Sequence, residues 1–324
     1  MKKQYVIAID VGATTCKAGL FRYDERLLKE WIIQTRVQEG GRYIMDDLAS
    51  SVIDVINGEG LSTEEIAGAG IGIPGLILDE AYVTKTDNAG LENLNVKEEL
   101  GVRLGLPVYA INDANAAAAG EMWRGVARGY ENFVLLTLGT GVGGAVVING
   151  KIINGRHGAA GEIGHMLVNE QEKKQCGCGR HGCLEQYSST MGLVRFAKEY
   201  LSDPNMVTTL RNYPVLDSKI IFEEAKKGDS VAMALCDRFC DTLGRAIANV
   251  AVVVDPDLVV LGGGISKCGQ FLLESVRNSF LKHSYYGCRG LDLRLAELEN
   301  RAGMYGCLKL VLDHEEKSSD SNVT

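Results

Sequence analysis

The sequence predicts an α/β protein built from two domains. Short apolar strands alternate with amphipathic helices along the chain, which is the pattern of the α/β class. The 324 residues are enough for two domains that each have a hydrophobic core. An apolar strand, a tip rich in glycine and threonine and a second apolar strand occur twice, at residues 5–21 and 133–148. We interpret this repeat as an internal duplication in which one hairpin opens each domain.

In the first half of the chain, short apolar runs that end at glycine, proline or acidic residues predict strands. Apolar residues spaced three and four apart predict a helix over residues 44–56, and glycine ends a second helix at Gly105. Alanine is the best helix former, so the alanine-rich stretch after Asp113 predicts a third. The strands predicted here are 5–10, 16–21, 31–34, 67–73 and 107–111, and the helices are 44–56, 96–104 and 114–124.

The second half repeats this alternation with longer helices. A helix predicted over 230–254 has one apolar face and stops at Asp255-Pro256, where proline cannot continue it. Gly228 ends the helix before it, and the triple glycine after residue 261 forms a tight turn. The strands predicted here are 133–137, 145–148, 258–261 and 292–295, and the helices are 191–200, 218–227, 230–254, 271–281 and 302–312.

These elements divide into two predicted domains. The N-terminal α/β domain covers residues 1–120 and is completed by the C-terminal helix 302–313. The C-terminal α/β domain covers residues 121–301 and carries the cysteine motif. The polar segment 315–324 is predicted to be disordered.

Composition argues against several classes of protein. A net charge of −8 is unlike the basic surface that nucleic-acid binding requires. The sequence has no run of 18 or more apolar residues, so no membrane span is expected. The apolar run after Lys3 is too short for a signal peptide, so a cytoplasmic location is expected. The 39 glycines are about one residue in eight, against a usual ~7%, and their clustering favours tight turns next to ligands.

The glycine-rich tips predict a nucleotide site. Backbone N–H groups can converge on phosphate oxygens where no Cβ intervenes, and threonine hydroxyls add donors. Asp10, beside the first tip, could orient Mg²⁺ through water. Each tip alone could be an ordinary hairpin turn, but two matched tips with a triple glycine favour a nucleotide. The residues concerned are Gly12, Thr14 and Thr15 in the first tip, Gly139, Thr140 and Gly141 in the second, and Gly262, Gly263 and Gly264.

Asp113 follows a predicted strand and precedes the alanine-rich helix. Two roles fit this position equally well. Asp113 could cap the helix by accepting from its first N–H groups, a role that Asn112 could equally fill. Alternatively, Asp113 could be a general base that accepts a hydroxyl proton during phosphoryl transfer.

Three crowded cysteines predict a metal site. Cys176, Cys178 and Cys183 stand among glycines, with His165 eleven positions before the first, and this Cys₃His set is a common closed zinc site. Free thiols or a disulfide fit a cytoplasmic chain less well. The other six cysteines are scattered among apolar residues and are interpreted as small buried hydrophobes.

Two carboxylates stand next to these cysteines. Glu162 and Glu185 each lie within three residues of a proposed ligand, in a glycine-rich context. They could be solvated surface charges, but carboxylates held rigidly beside a metal suit sugar hydroxyls.

These motifs together resemble the ROK family of sugar kinases and repressors, over about Tyr5 to Leu312. The resemblance implies two actin-like (ribonuclease H-like) domains with a cleft between them, bound ATP and Mg²⁺, a structural Zn²⁺, and a homodimer or homotetramer. It implies that Asp113 is the base, that Lys17 belongs to the first phosphate motif and that His165 contacts both zinc and sugar. The further sugar positions that it implies are Gly75, Asn88, Asn112, Asp113, Glu162 and Glu185. The motifs are Asp10–Lys17, Asn112–Ala116, Leu138–Gly143, Gly161–His165, Cys176–Glu185 and Leu261–Gly264.

The function implied is ATP-dependent phosphorylation of a hexose, with glucose at O6 as the first choice. N-acetylmannosamine, N-acetylglucosamine or fructose is the alternative substrate, because Leu91 and the stretch Ser188–Thr190 depart from the usual glucokinase pattern. A sugar-responsive repressor is the alternative from another class. Repressors of this family carry a helix-turn-helix before the first phosphate motif, and only four residues precede Tyr5 here, so the enzyme is expected.

Overall fold

A computed structural model describes residues 3–86 and 89–321, with side chains through residue 318. The chain forms two compact units. Unit 1 consists of Met1–Arg128, Asn154–Ala160 and Arg301–Thr324, and unit 2 consists of Gly129–Ile153 and Gly161–Asn300.

The elements of unit 1 that precede unit 2 form a sheet in the order β3-β2-β1-β4-β8, covered by helices, and a small antiparallel sheet β5-β6-β7. Strands β1 and β2 are antiparallel, whereas β1, β4 and β8 are parallel. The elements are β1 (Tyr5–Val11), β2 (Thr15–Arg22), β3 (Leu27–Gln34), α1 (Ile44–Gly58), β4 (Ile66–Ile73), β5 (Leu76–Leu78), β6 (Tyr82–Lys85), β7 (Glu92–Asn95), α2 (Val96–Leu104), β8 (Val108–Asn112) and α3 (Asp113–Arg124).

Unit 2 contains a second sheet, in the order β11-β10-β9-β12-β13. Its first hairpin is antiparallel, and β9, β12 and β13 are parallel. The elements are β9 (Phe133–Leu138), β10 (Val142–Ile148), β11 (Lys151–Ile152), α4 (Glu185–Ser188), α5 (Thr190–Leu201), α6 (Ser218–Lys226), α7 (Ser230–Val254), β12 (Leu258–Gly262), α8 (Gln270–His283) and β13 (Asp292–Leu295).

The two sheets have the same topology. In each, the first strand pairs with the second on one side and with a parallel fourth strand on the other, and the third and fifth strands stand at the edges. The α/β class is therefore confirmed, and the repeated hairpin predicted from the sequence is part of a repeated sheet.

The last helix, α9 (Ala302–Ser321), returns to unit 1. Its buried face, which includes Met304 and Leu308, packs on the apolar side of β1 and β4. Close approach to α3 depends on glycine, because a Cβ on Gly306 would overlap the backbone oxygen of Ala116.

Three predicted boundaries are corrected. The helix continues to Ser321, so residues 315–321, predicted to be disordered, are helical. Residues 121–128 belong to unit 1, because the buried Glu121 side chain accepts a hydrogen bond from the Val126 N–H (2.9 Å) and ties this loop to α3. Segment 154–160 also belongs to unit 1, where Asn154 Nδ2 donates to the Ile77 oxygen (3.0 Å).

The sheet β5-β6-β7 was not predicted as a unit, because its strands have only three or four residues and little alternation. In the part of the chain that the structure describes, no helix is both long and apolar enough to cross a membrane.

Candidate functional site

Two acidic side chains lie at the same end of the unit 1 sheet, where its parallel strands finish. Asp10 on β1 is paired with Gly72 on β4, and Gly72 is paired in turn with Ile111 on β8, immediately before Asn112 and Asp113. A Cβ on Gly72 would lie 3.7 Å from the Asp113 Cα, so a bare backbone separates the two acids. The carboxyl ends of parallel strands thus bring Asp10 and Asp113 together.

Both carboxyl groups are less acidic than usual. Burial, and then the charge of Asp113, raise the pKa of Asp10 to about 6, against a smaller opposing effect of Lys17. Burial also raises the pKa of Asp113, against hydrogen bonds from the backbone N–H groups of Ala114 (2.9 Å) and of Asp113 itself. A carboxylate with a raised pKa is a better proton acceptor than an ordinary one.

Helix capping is resolved in favour of Asn112. Asn112 Oδ1 accepts from the Asn115 N–H (3.0 Å), and Asn112 Nδ2 donates to the Gly75 oxygen (3.0 Å). Asn112 is therefore the N-cap of α3, and it fixes the turn at Gly75, whose φ of 110° suits glycine. Asp113 is the first helical residue, and its carboxylate accepts from the Ala114 N–H (2.9 Å), but the capping bond to the Asn115 N–H is made by Asn112.

The first glycine tip is a tight turn, and Thr35 from the adjoining segment holds it by two hydrogen bonds. The Gly12 N–H donates to the Thr15 oxygen (3.1 Å), and a Cβ on Gly12 would come within 2.8 Å of that oxygen. Thr35 on the adjoining segment donates its hydroxyl to the Gly12 oxygen (2.7 Å) and its N–H to the Thr14 oxygen (3.0 Å). Thr14 and Thr15 are thereby fixed beside Asp10, and Lys17 is paired with Asp10 across the hairpin.

The second tip and the triple glycine adjoin each other in unit 2. The second tip closes through a hydrogen bond from the Gly139 N–H to the Gly141 oxygen (3.0 Å). Gly262 is paired with Thr137, and Gly263, with φ of 80°, packs so closely on Leu138 that a Cβ would lie 2.5 Å from its oxygen. The structure thus places the second glycine tip and the triple glycine, both predicted to bind a nucleotide, at the same end of the unit 2 sheet.

The predicted metal ligands form one cluster. One ligand atom from each of His165, Cys176, Cys178 and Cys183 lies within 4.8 Å of the others. The sulfurs of Cys178 and Cys183 are 3.6 Å apart, and His165 Nδ1 is 3.8 Å from the Cys176 sulfur. A tetrahedral zinc, with Zn–S of about 2.3 Å, would set two sulfurs about 3.8 Å apart, so the donor set fits such an ion.

The thiols of the cluster differ in acidity. Burial raises the pKa of Cys176 to about 12. Burial also acts on Cys178, but hydrogen bonds from the backbone and side chain of Arg180 and from the neighbouring thiols outweigh it and bring the pKa of Cys178 to about 7. Metals bind thiolates, so Cys178 can enter the ligand form near neutral pH.

The two candidate sugar carboxylates flank this cluster. Glu162 Oε2 lies 3.9 Å from His165 Nε2, on the side of the imidazole opposite to the cysteines. Glu185 Oε1 lies 3.7 Å from the Cys176 sulfur, and Glu185 Oε2 accepts from the Val142 N–H (3.1 Å). Glu162, His165 and Glu185 therefore form one continuous group with the cysteines in unit 2.

A polar network that the sequence did not reveal supports the loop of the cluster. Gln186 Oε1 accepts from the N–H groups of Gly182 (2.8 Å) and Cys183 (3.1 Å). Glu172 accepts from Tyr187 (2.7 Å) and Arg195 (3.0 Å), and these bonds with the Lys174 N–H hold the pKa of Glu172 at about 2 although burial opposes ionisation. Such partners come from separate turns, so no local spacing could have pointed to them.

The predicted site residues divide between the units. Asn88 lies outside the described residues. Gly303, which the sequence offered no reason to select, backs the Asp10 carboxylate. Unit 1 holds Asp10, Gly12, Thr14, Thr15, Lys17, Gly75, Asn112 and Asp113, and unit 2 holds Gly139, Thr140, Gly141, Glu162, His165, Cys176, Cys178, Cys183, Glu185, Gly262, Gly263 and Gly264.

Comparisons with known proteins show what this chain is similar to. The model of the ROK family matches residues 6–314. A glucokinase of Halalkalibacterium halodurans is 36% identical over the full length of both chains, and a glucokinase of Thermotoga maritima is 34% identical over 96% of this chain and 98% of its own. A crystal structure of a ROK family glucokinase from Streptomyces griseus, in complex with glucose and AMPPNP, is 32% identical, with a TM-score of 0.81 over 94% of this chain and 98% of its own.

Proposed function

The chain belongs to the ROK family, and on that premise we propose that it is an ATP-dependent hexose kinase that phosphorylates glucose at O6. The observation that carries the proposal is the Asp113 carboxylate. It is relieved of capping by Asn112, lies beside Asp10 and has a raised pKa. Similarity to glucokinases over the whole chain supports the choice of sugar.

Asp113 is the general base of this reaction. It takes the proton from the O6 hydroxyl while O6 attacks the γ-phosphorus of ATP. The O6–phosphorus bond forms, the bond from the γ-phosphorus to the bridging oxygen breaks, and ADP leaves with the electron pair. The products are the sugar 6-phosphate, ADP and the proton held on Asp113.

The nucleotide is held by backbone rather than by long side chains. The tips around Gly12 and Gly139 would offer backbone N–H groups and the hydroxyls of Thr14, Thr15 and Thr140 to phosphate oxygens. The bare backbone of 262–264 suits the adenosine. Asp10 would hold Mg²⁺, which when bound neutralises charge on the transferring phosphoryl group.

The hexose is oriented by the group beside the cysteines. Glu162 and Glu185 would accept hydrogen bonds from ring hydroxyls, and Asn112 would donate to or accept from one. Asn88 is assigned to this set by the family motif alone. His165 Nε2 would face the sugar, and His165 Nδ1 would hold a zinc together with Cys176, Cys178 and Cys183. A zinc held by these four ligands would have no open position, so it would be structural and would keep the sugar-binding side chains in place.

A coupled assay of ADP release over a panel of sugars tests this function. The panel contains glucose, mannose, fructose, N-acetylglucosamine and N-acetylmannosamine, and glucose should give the highest kcat/KM. Asp113→Asn should lower kcat for that sugar by about 10²–10⁴-fold, which is the usual contribution of a positioned base. If no sugar stimulates ADP release, the kinase proposal is wrong, and an amino sugar in first place would favour the alternative substrate.

A further inference from the structure

The segment Glu185–Thr190 begins two residues after Cys183, the last cysteine of the cluster, and contacts the second phosphate tip. We propose that this segment couples the metal cluster to that tip, and that Glu185 and Thr190 are positioning residues for the nucleotide phosphates. The inference rests on the proposed function, in which the tip at Gly139 binds phosphate. It assigns to the metal loop a role in nucleotide binding in addition to sugar binding.

The Glu185 carboxylate contacts the side of the tip that leads into β10. Glu185 Oε2 accepts from the Val142 N–H (3.1 Å), the first residue of β10. Residue 141 is glycine, and a Cβ there would overlap Glu185 Oε2, so the carboxylate occupies the space that a side chain would need. The other oxygen, Oε1, lies 3.7 Å from the Cys176 sulfur, so one side chain contacts both the cluster and the tip.

Thr190 contacts the opposite side of the tip, at Gly139. Its N–H donates to the Gly139 oxygen (2.9 Å). Thr190 is the first residue of α5, and the first N–H groups of a helix have no partner within it, so this donor is free for the tip. Ser189 caps the helix by accepting from the Gly192 N–H (3.1 Å), so the direction of the Thr190 N–H is set by the helix itself.

The cluster is joined to these contacts by a short, buried connection. Cys183 is two residues before Glu185, and Leu184 between them is fully buried and donates its N–H to the Met166 oxygen (2.8 Å). Gln186 binds the Cys183 N–H from the other side (3.1 Å). A shift of Cys183 therefore moves Glu185, because three consecutive residues packed this closely cannot move independently.

Thr190→Pro removes the coupling hydrogen bond with little effect on the helix. Proline is favoured at the first helical position, and the preceding Ser189 has the extended conformation that proline requires (φ −118°, ψ 169°). Thr190→Ala is the matched control, because it keeps the N–H and loses only the hydroxyl, which donates to Ser218 (3.2 Å).

The readout is the Kd of AMPPNP with Mg²⁺, measured by calorimetry on the full chain. Thr190→Pro should bind about fivefold more weakly than Thr190→Ala, the factor expected for one net hydrogen bond. Glucose affinity and zinc content should stay unchanged within about twofold. Equal AMPPNP affinity of the two variants would overturn the inference, whereas a wild-type protein that no sugar stimulates overturns the proposed function instead.

A second variant keeps the test decisive if Thr190→Pro does not fold. Gly141→Ala pushes Glu185 Oε2 off the tip, and Gly290→Ala, at a glycine with open space around it, is its control. Gly141→Ala should weaken AMPPNP binding at least fivefold relative to Gly290→Ala. Equal binding by these two variants would contradict the coupling.

Discussion

Asp10 lies directly against Gly303: a Cβ on residue 303 would come within 2.8 Å of the carboxyl carbon of Asp10. Gly303 is the second residue of α9, where alanine would ordinarily be the better helix former. The glycine is therefore explained by the space that the carboxylate occupies rather than by the helix. The position of the proposed Mg²⁺ ligand depends on a residue almost 300 positions away in sequence.

Gly303→Ala should move the Asp10 carboxylate and destabilise unit 1 by about 1–3 kcal/mol, the usual cost of overpacking a filled site. We expect a higher KM for MgATP as well. Gly58→Ala is the control, because Gly58 ends helix α1 and an alanine Cβ there would have no other atom within 4 Å. Urea unfolding and steady-state kinetics check both variants, and equal behaviour of the two would show that the site has room for a methyl group.

Asp10→Asn should stabilise the protein at pH 8 in the absence of nucleotide and Mg²⁺. The folded-state pKa of about 6 exceeds the ordinary value of 3.8, so the folded chain binds this proton more tightly than the unfolded chain. The resulting penalty is absent below about pH 4, grows as pH rises to 6 and is complete above it, reaching at most about 3 kcal/mol.

Urea unfolding at pH 8 and at pH 4.5 measures this effect, and the gain should shrink at the lower pH. Asp54→Asn is the control, since Asp54 is an exposed residue of α1. A gain at pH 8 no larger than that of Asp54→Asn would mean that Asp10 is not held in a less acidic state.

Activity should fall on the acid side at a higher pH than an ordinary carboxylate would give. Burial raises the pKa of Asp113, and the base accepts a proton only when ionised, so kcat/KM drops as pH falls through the raised value. A pH–rate profile, with circular dichroism at each pH to exclude unfolding, locates the midpoint. A midpoint at or below about 4 would disagree with a buried base.

Cys178→Ser should lose the bound zinc. Serine is a poor zinc ligand at neutral pH, and three remaining donors bind the ion less tightly. We expect about one zinc per chain in the wild type and much less in the variant, with sugar affinity at least tenfold lower because Glu162 and His165 lose their support. Cys288→Ser, at a buried cysteine outside the cluster, should keep its zinc. Metal analysis by mass spectrometry and sugar titration provide the measurements, and a metal-free, fully active wild type would refute the structural zinc.

Local patterns were sufficient to predict much of the fold. Short apolar runs located β1, β9 and β12, and the long apolar face ending at Asp255-Pro256 located α7 over Ser230–Val254. The cysteine spacing predicted four ligand atoms that the structure brings within 4.8 Å. These successes share one cause, since each feature is encoded by residues close together in sequence.

What could not be predicted depends on contacts between distant residues. Gly303 lies behind Asp10, and the Thr190 N–H binds the Gly139 oxygen, only because of how the chain packs. Neither a single glycine nor a backbone N–H group can be recognised from the sequence as having such a role. The sequence also left open whether Asn112 or Asp113 is the helix cap, because both residue types are good caps and the two are adjacent.

The return of α9 to unit 1 has a consequence for synthesis on the ribosome. Val6 and Ala8 of β1 are made about 300 residues before Met304 and Leu308 of the helix that covers them. Until then the apolar side of this sheet lacks the part of its cover that α9 supplies, whereas the segments of unit 2 from Gly161 to Asn300 have already been made. Unit 2 can therefore fold while the chain is still being made, and unit 1, with the proposed catalytic base, is completed only after α9 has been made.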